Sequence, residues 1–183
     1  KMVGYRPSVE ALLLILQHLQ QRRDPISPLT LFSYLLKSRL DVHPLLGNNI
    51  ICLLSTCGYL LEAHKLFDTL IHHHNTWSFD SLFIECEKCG HPHLVLSFYK
   101  KLRKDASSHL SGHAFVALFK ASKSLHDVES GIELHETTLK IGILRKNVFV
   151  GCNLVDFYVK CGMLTKAEEA FNEVEIRNVV LWT

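Results

Sequence analysis

Apolar residues recur along this chain at helical spacing, and the recurrence is itself repeated. Between Gly151 and Val174, Leu154, Tyr158 and Cys161 fall three or four residues apart. After a break at Gly162 the stripe resumes as Leu164, Ala167, Phe171 and Val174. Such spacing collects apolar side chains on one face of a helix. The break predicts two helices, with Gly162 just past the end of the first, where φ turns positive and a side chain would be strained. The segment Gly47–Leu70 carries the same pattern 104 residues earlier, without a gap. Gly47, Asn49, Cys57, Gly58, Leu60, Ala63 and Phe67 recur as Gly151, Asn153, Cys161, Gly162, Leu164, Ala167 and Phe171. Ile50 with Leu154, Leu54 with Tyr158 and Leu70 with Val174 are apolar matches between them. Each copy reads as a helical hairpin with one apolar stripe per helix. A lone hairpin cannot bury both stripes, so neighbours must stack against it.

The interval between the copies is too long for one hairpin, and further hairpins fill it. In Asn75–Leu102, Cys89-Gly90 takes the place of Cys57-Gly58, and Pro92 suits the first turn of the second helix. Gly112–Gly142 is another, with Asp127 as the expected N-cap of its second helix. Val9–Leu40 matches that hairpin at a shift of 103, through Asp24, Leu31, Leu36 and Lys37 against Asp127, Leu134, Leu139 and Lys140. Pro25 and Pro28 mark its inter-helix turn, with Ser27 as the expected cap. The chain therefore reads as a single all-α array of stacked hairpins. Its boundaries are Val9–His43, Pro44–Asn75, Thr76–Ser111, Gly112–Asn147 and Val148–Asn178, and Val179–Thr183 opens a further repeat. The lengths alternate: 35, 32, 36, 36 and 31 residues.

Composition narrows the class without naming a ligand. The 183 residues are 48% hydrophobic and 21% charged, as in an ordinary globular chain. The longest apolar run, Ala11–Leu16, is far shorter than the roughly 20 residues that span a bilayer. Gln17 and His18 follow it with no small-residue cleavage pattern, so neither an anchor nor a secretory signal is expected. A net charge of +2 does not demand a polyanionic partner, although binding depends on where charges sit rather than on their sum. Six cysteines are too few for a disulfide scaffold; Cys57, Cys89 and Cys161 occupy one repeat position and are expected as buried packing residues. The chain begins at Lys1 and stops as a new repeat opens, which reads as part of a longer protein.

The string Asn147–Thr183 closely resembles the pentatricopeptide-repeat proteins of plants, and nearly the whole chain shares the resemblance. The alternating lengths are similar to the subclass that cycles long, short and standard repeats. Val9–His43 and Gly112–Asn147 resemble the long type, Pro44–Asn75 and Val148–Asn178 the short type, and Thr76–Ser111 the standard type. The resemblance implies a right-handed α-solenoid, tetratricopeptide-like in build, acting in a mitochondrion or, alternatively, a plastid. It implies single-stranded RNA as the partner, read at about one base per repeat. It also implies organellar RNA processing as the role, editing-site recognition first, with splicing or stabilisation as other outlets and proteins of such a complex as further partners. Carried across by position, the base-selecting pairs are Asn48 with Asn75, Asp80 with Ser111, and Cys152 with Asn178. Base-clamping residues are Leu45, Trp77 and Phe149, and phosphate-binding residues are Lys88 and Lys160. Asp80 and Cys152 depart from the usual selectors, Val116 of the long repeat has no hydrogen-bonding group, and Asn48 with Asn75 implies a pyrimidine.

Several sharper chemistries yield to plainer ones. Cys86 and Cys89, followed by His91 and His93 and preceded by His72, His73 and His74, invite a zinc reading. Cys89 is the repeat's own cysteine, however, and Cys86 lies one turn earlier on the same apolar stripe, so no metal is expected. Lys100, Lys101, Arg103 and Lys104 lie on a second helix and read as a solvated face. Lys88 and Lys160 have a helix-dipole reason for ending a helix as well as a phosphate one. No His-x-Glu element, nucleophile–base pair or glycine-rich phosphate loop occurs, so neither an enzyme nor a cofactor is expected. The rival reading is a protein-gripping scaffold of the tetratricopeptide type. That family has repeats of about 34 residues with Trp, Leu-Gly and Tyr landmarks in the first helix, whereas here the lengths alternate and Cys-Gly closes the first helix.

Overall fold

The computed structural model describes residues 7–22, 26–40, 43–71, 79–104 and 110–174. Among them are eleven helices and no strand, the all-α hairpin architecture that the periodicity predicts. The chain groups into two compact units, Lys1–Ser78 and Phe79–Thr183.

The first unit holds α1 (Val9–Arg22), α2 (Ile26–Ser38), α3 (Pro44–Thr56) and α4 (Leu60–Ile71). Ser8 caps α1, its hydroxyl accepting from the Ala11 amide at 3.2 Å. Helix α2 begins at Ile26, ahead of the expected cap: Ser27 and Pro28 lie inside the first turn, and Pro25 is outside the described residues. Proline is tolerated there because first-turn amides have no intrahelical acceptor. Helix α3 packs against α1, α2 and α4 and is buried almost all round, through Leu46, Ile50, Ile51, Leu53 and Leu54. Ala63, Leu66, Phe67 and Leu70 of α4 close that core.

The second unit holds α5 (Phe79–Lys88), α6 (Pro92–Lys104), α7 (Gly112–Leu125), α8 (Val128–Lys140), the four-residue α9 (Ile143–Lys146), α10 (Val148–Lys160) and α11 (Leu164–Glu173). The first helices α5, α7 and α10 pack side by side, α7 in the middle; α6, α8 and α11 back them. Pro92 opens α6, and Asp127 caps α8 by accepting from the Ser130 amide at 3.0 Å, both as the sequence predicts. Gly131 of α8 lets α10 approach: a Cβ there would lie 2.0 Å from the Phe157 ring. Gly151, one of the repeated glycines, faces Val174 in the same way, at 2.5 Å. These glycines are in place for closeness rather than for backbone freedom. His135 ties three helices together, with Nδ1 at 2.9 Å from the Tyr158 hydroxyl and Nε2 at 2.7 Å from Glu173 Oε2.

The turns closing the first helices share one geometry. After α10 the Met163 amide donates to Tyr158 O at 2.9 Å and the Gly162 amide to Val159 O at 3.0 Å, with Gly162 at φ +74°. Gly58 and Gly90 repeat this after α3 and α5, so the terminal carbonyls find donors without help from side chains. The cysteines that precede these glycines are half-buried, which corrects the expectation of full burial. They occupy the helix cap, where the chain is already leaving the core; the fully buried thiols are Cys52 and Cys86, and none of the six is in a disulfide.

Candidate nucleic-acid interface

Each first helix of the second unit buries one side and leaves a stripe outside. On α10 the buried set is Val148, Val150, Gly151, Leu154, Phe157 and Tyr158. Phe149, Cys152, Asn153, Asp156, Val159 and Lys160 form one incompletely covered stripe, which holds the three candidates on this helix. Phe149 is 65% exposed, and Leu45, its counterpart 104 residues earlier on α3, is 55% exposed. Cys152 is half-buried, and its burial pushes the thiol up from its ordinary value, so it presents a neutral S–H. Lys160 is exposed, and so is Lys88 on α5, whose ammonium lies 3.9 Å from Glu85 one turn back.

The structure brings one proposed selector pair together. The Asp80 carboxylate on α5 accepts from the Ser111 amide, both oxygens at 3.2 Å. Ser111 is itself the N-cap of α7, its hydroxyl accepting from the Ala114 amide at 3.5 Å. The Asp80 carboxylate therefore lies at the seam between two first helices, half-buried and hydrogen-bonded by the Ser111 amide at the start of α7. Asn48 differs: it is 6% exposed, and its amide faces α3's packed surroundings rather than solvent. Asn75, Trp77 and Asn178 lie outside the described residues. The asparagines beside the selectors serve the helix, since Asn49 and Asn153 donate to Leu45 O and Phe149 O, each at 2.8 Å.

Residues 152–179 match the profile of the pentatricopeptide repeat. That segment is similar to one pentatricopeptide repeat. It is also similar over most of its length to pentatricopeptide repeat-containing proteins of Arabidopsis thaliana. One, described as putative, is 32% identical over 163 residues, which is 88% of this chain and 27% of that protein. A chloroplastic relative is 27% identical over 151 residues, covering 82% of this chain and 21% of its own length. A mitochondrial one is 28% identical over 136 residues, covering 74% and 13%. The chain thus spans about a quarter or less of these pentatricopeptide-repeat relatives.

The sequence reading missed two residues on this surface. Lys123, in the last turn of α7, forms an ion pair with Asp156 in the middle of the α10 stripe. They lie 33 residues apart on adjacent first helices, so no local spacing connects them. The reading of the second-helix lysines is partly amended: Lys100 lies 3.6 Å from Asp127 and lines a groove of about 390 Å³ with Lys101 and His93. Among the described residues no three histidine, cysteine or acidic side chains are arranged to hold a metal ion. No helix among them is long and apolar enough to cross a membrane.

Proposed function

We propose that this pentatricopeptide-repeat chain is part of a protein that binds single-stranded RNA by sequence in a mitochondrion or plastid. Editing-site recognition is the first role we assign it within RNA processing. The observation that carries the reading is the pair Leu45 and Phe149: large apolar side chains at one repeat position, both left in solvent. Scattered exposed apolar residues need no explanation, but each of these two, beside polar neighbours on a first helix of its own unit, offers a face on which a base can stack. A base packs on Phe149 while Cys152, with Asn178, reads its edge. Asp80 with Ser111 reads the base of the standard repeat, beside Trp77. As an acceptor, Asp80 suits an exocyclic amine, which cytosine, adenine and guanine carry and uracil lacks. Lys88 and Lys160 hold phosphates and carry no base information.

The test is an anisotropy titration of the longer native array with single-stranded RNAs varied one position at a time. Phe149→Ala should weaken binding by about 1–3 kcal/mol, the range for a lost base–aromatic stack. Asp80→Asn should alter preference at one nucleotide, whereas Lys160→Ala should weaken all sequences alike and flatten the salt dependence. Single-stranded RNA competing no better than duplex DNA would falsify the proposal. Binding of an extended peptide instead would favour the protein-scaffold reading.

A further inference from the structure

The Phe149–Lys160 stripe contains one group that opposes a polyanion. Asp156 sits between Cys152 and Lys160, is 56% exposed at its side chain, and would repel any phosphate passing along α10. Its charge is not unopposed, because Lys123 reaches across from α7 to pair with it. Pairing silences both: the lysine gives no net positive charge to the surface, and the aspartate no net negative.

We propose that this pair is an exchangeable contact, in which an RNA phosphate replaces the Asp156 carboxylate as the partner of Lys123. The proposal rests on the RNA-binding reading above and adds to it a residue that sets affinity. Three features favour exchange over a fixed brace. The pair is open to water chiefly on the Asp156 side, with Lys123 29% exposed, and ion pairs that water reaches are held weakly because it screens them and two side chains must be ordered to make them. Lysine is a point charge on a flexible four-carbon stem, so Nζ can swing to a new anion without any backbone shift. Asp156 is well exposed, so the released carboxylate regains hydration at once. In the wild-type protein one anion replaces another at Lys123: the phosphate contact forms, but breaking the pair with Asp156 lowers the affinity it contributes.

The experiment compares wild type, Asp156→Asn, Lys123→Ala and the double variant, binding a labelled single-stranded RNA of mixed sequence over a salt series. Asparagine keeps the shape of an exposed side chain, and circular dichroism checks that each variant is folded. Asp156→Asn should bind more tightly, because no pair has to be broken, and the slope of log affinity against log salt should stay as in wild type, since Lys123 meets a phosphate in both. Lys123→Ala should flatten that slope by about 0.7, the increment for one phosphate contact on a single strand, with or without Asp156→Asn. If Lys123→Ala flattens the slope only in the Asp156→Asn background, the pair is a fixed brace in the wild type and exchange is overturned. An unchanged or weaker affinity of Asp156→Asn overturns it too, while RNA binding itself stands. If the wild type and every variant leave RNA unbound, the RNA reading fails and the exchange falls with it.

Discussion

At the scale of single residues, one turn position shows how the backbone selects its side chains. Gly58, Gly90 and Gly162 follow α3, α5 and α10 at positive φ, but after α7 the same position is His126, at φ 51°. The hydrogen bonds are those of the glycine turns, with Asp127 N donating to Ser122 O at 3.0 Å. A β-carbon in the left-handed region costs about 1–2 kcal/mol, part of which glycine gives back through its freer unfolded chain. His126→Gly is therefore expected to raise stability by about 0.5–1 kcal/mol, seen as a higher urea midpoint at unchanged slope. A lower midpoint would mean that the imidazole makes a contact worth more than the strain. The glycine positions were legible because strain has a one-residue signature in sequence. The last residue of a repeat is harder to read: Ser111 and Asn147 both cap the next helix, so capping alone explains a short polar side chain there.

At the scale of elements, periodicity located the helix pairs because each buries one stripe, yet it could not see polar links between distant helices. Tyr158 matches Leu54 as an apolar residue, and its ring is buried accordingly. Its hydroxyl, however, meets His135, which also holds Glu173, and nothing in the spacing joins these three residues. Helix α9 was likewise invisible: it is a single turn, pinned by buried Leu144, that takes up the extra length of the long repeat. Burial first, and then the charges of Glu173, Glu169 and Glu136, push the Tyr158 phenol up to about 12. A folded value above the unfolded one, about 10, stabilises the fold fully below pH 10 and is lost as pH rises towards 12. Unfolding free energy should thus fall over that window in the wild type. Tyr158→Phe, though weaker at neutral pH by about 1 kcal/mol for the lost hydrogen bond, should fall less steeply. Parallel curves from denaturant titrations at stepped pH would remove Tyr158 as the cause.

At the scale of the whole unit, the stack in Phe79–Thr183 was readable from sequence because each interface is a repeat of the last. The Lys123–Asp156 pair was not, since it depends on which helices become neighbours rather than on any one helix. The neighbour pattern has a consequence for time as well as for structure. Helix α7 is packed by α5, α6, α8 and α10, whereas α11 packs chiefly on α10. In a chain of nearest-neighbour interfaces, opening starts where an element has the fewest partners and moves inward. Backbone amides of Phe115–Ala121 should therefore exchange with deuterium more slowly than those of Ala167–Phe171, in a gradient along the array. The middle hairpin is then the unit's slowest clock, and the edge hairpins keep opening and closing while it stays shut.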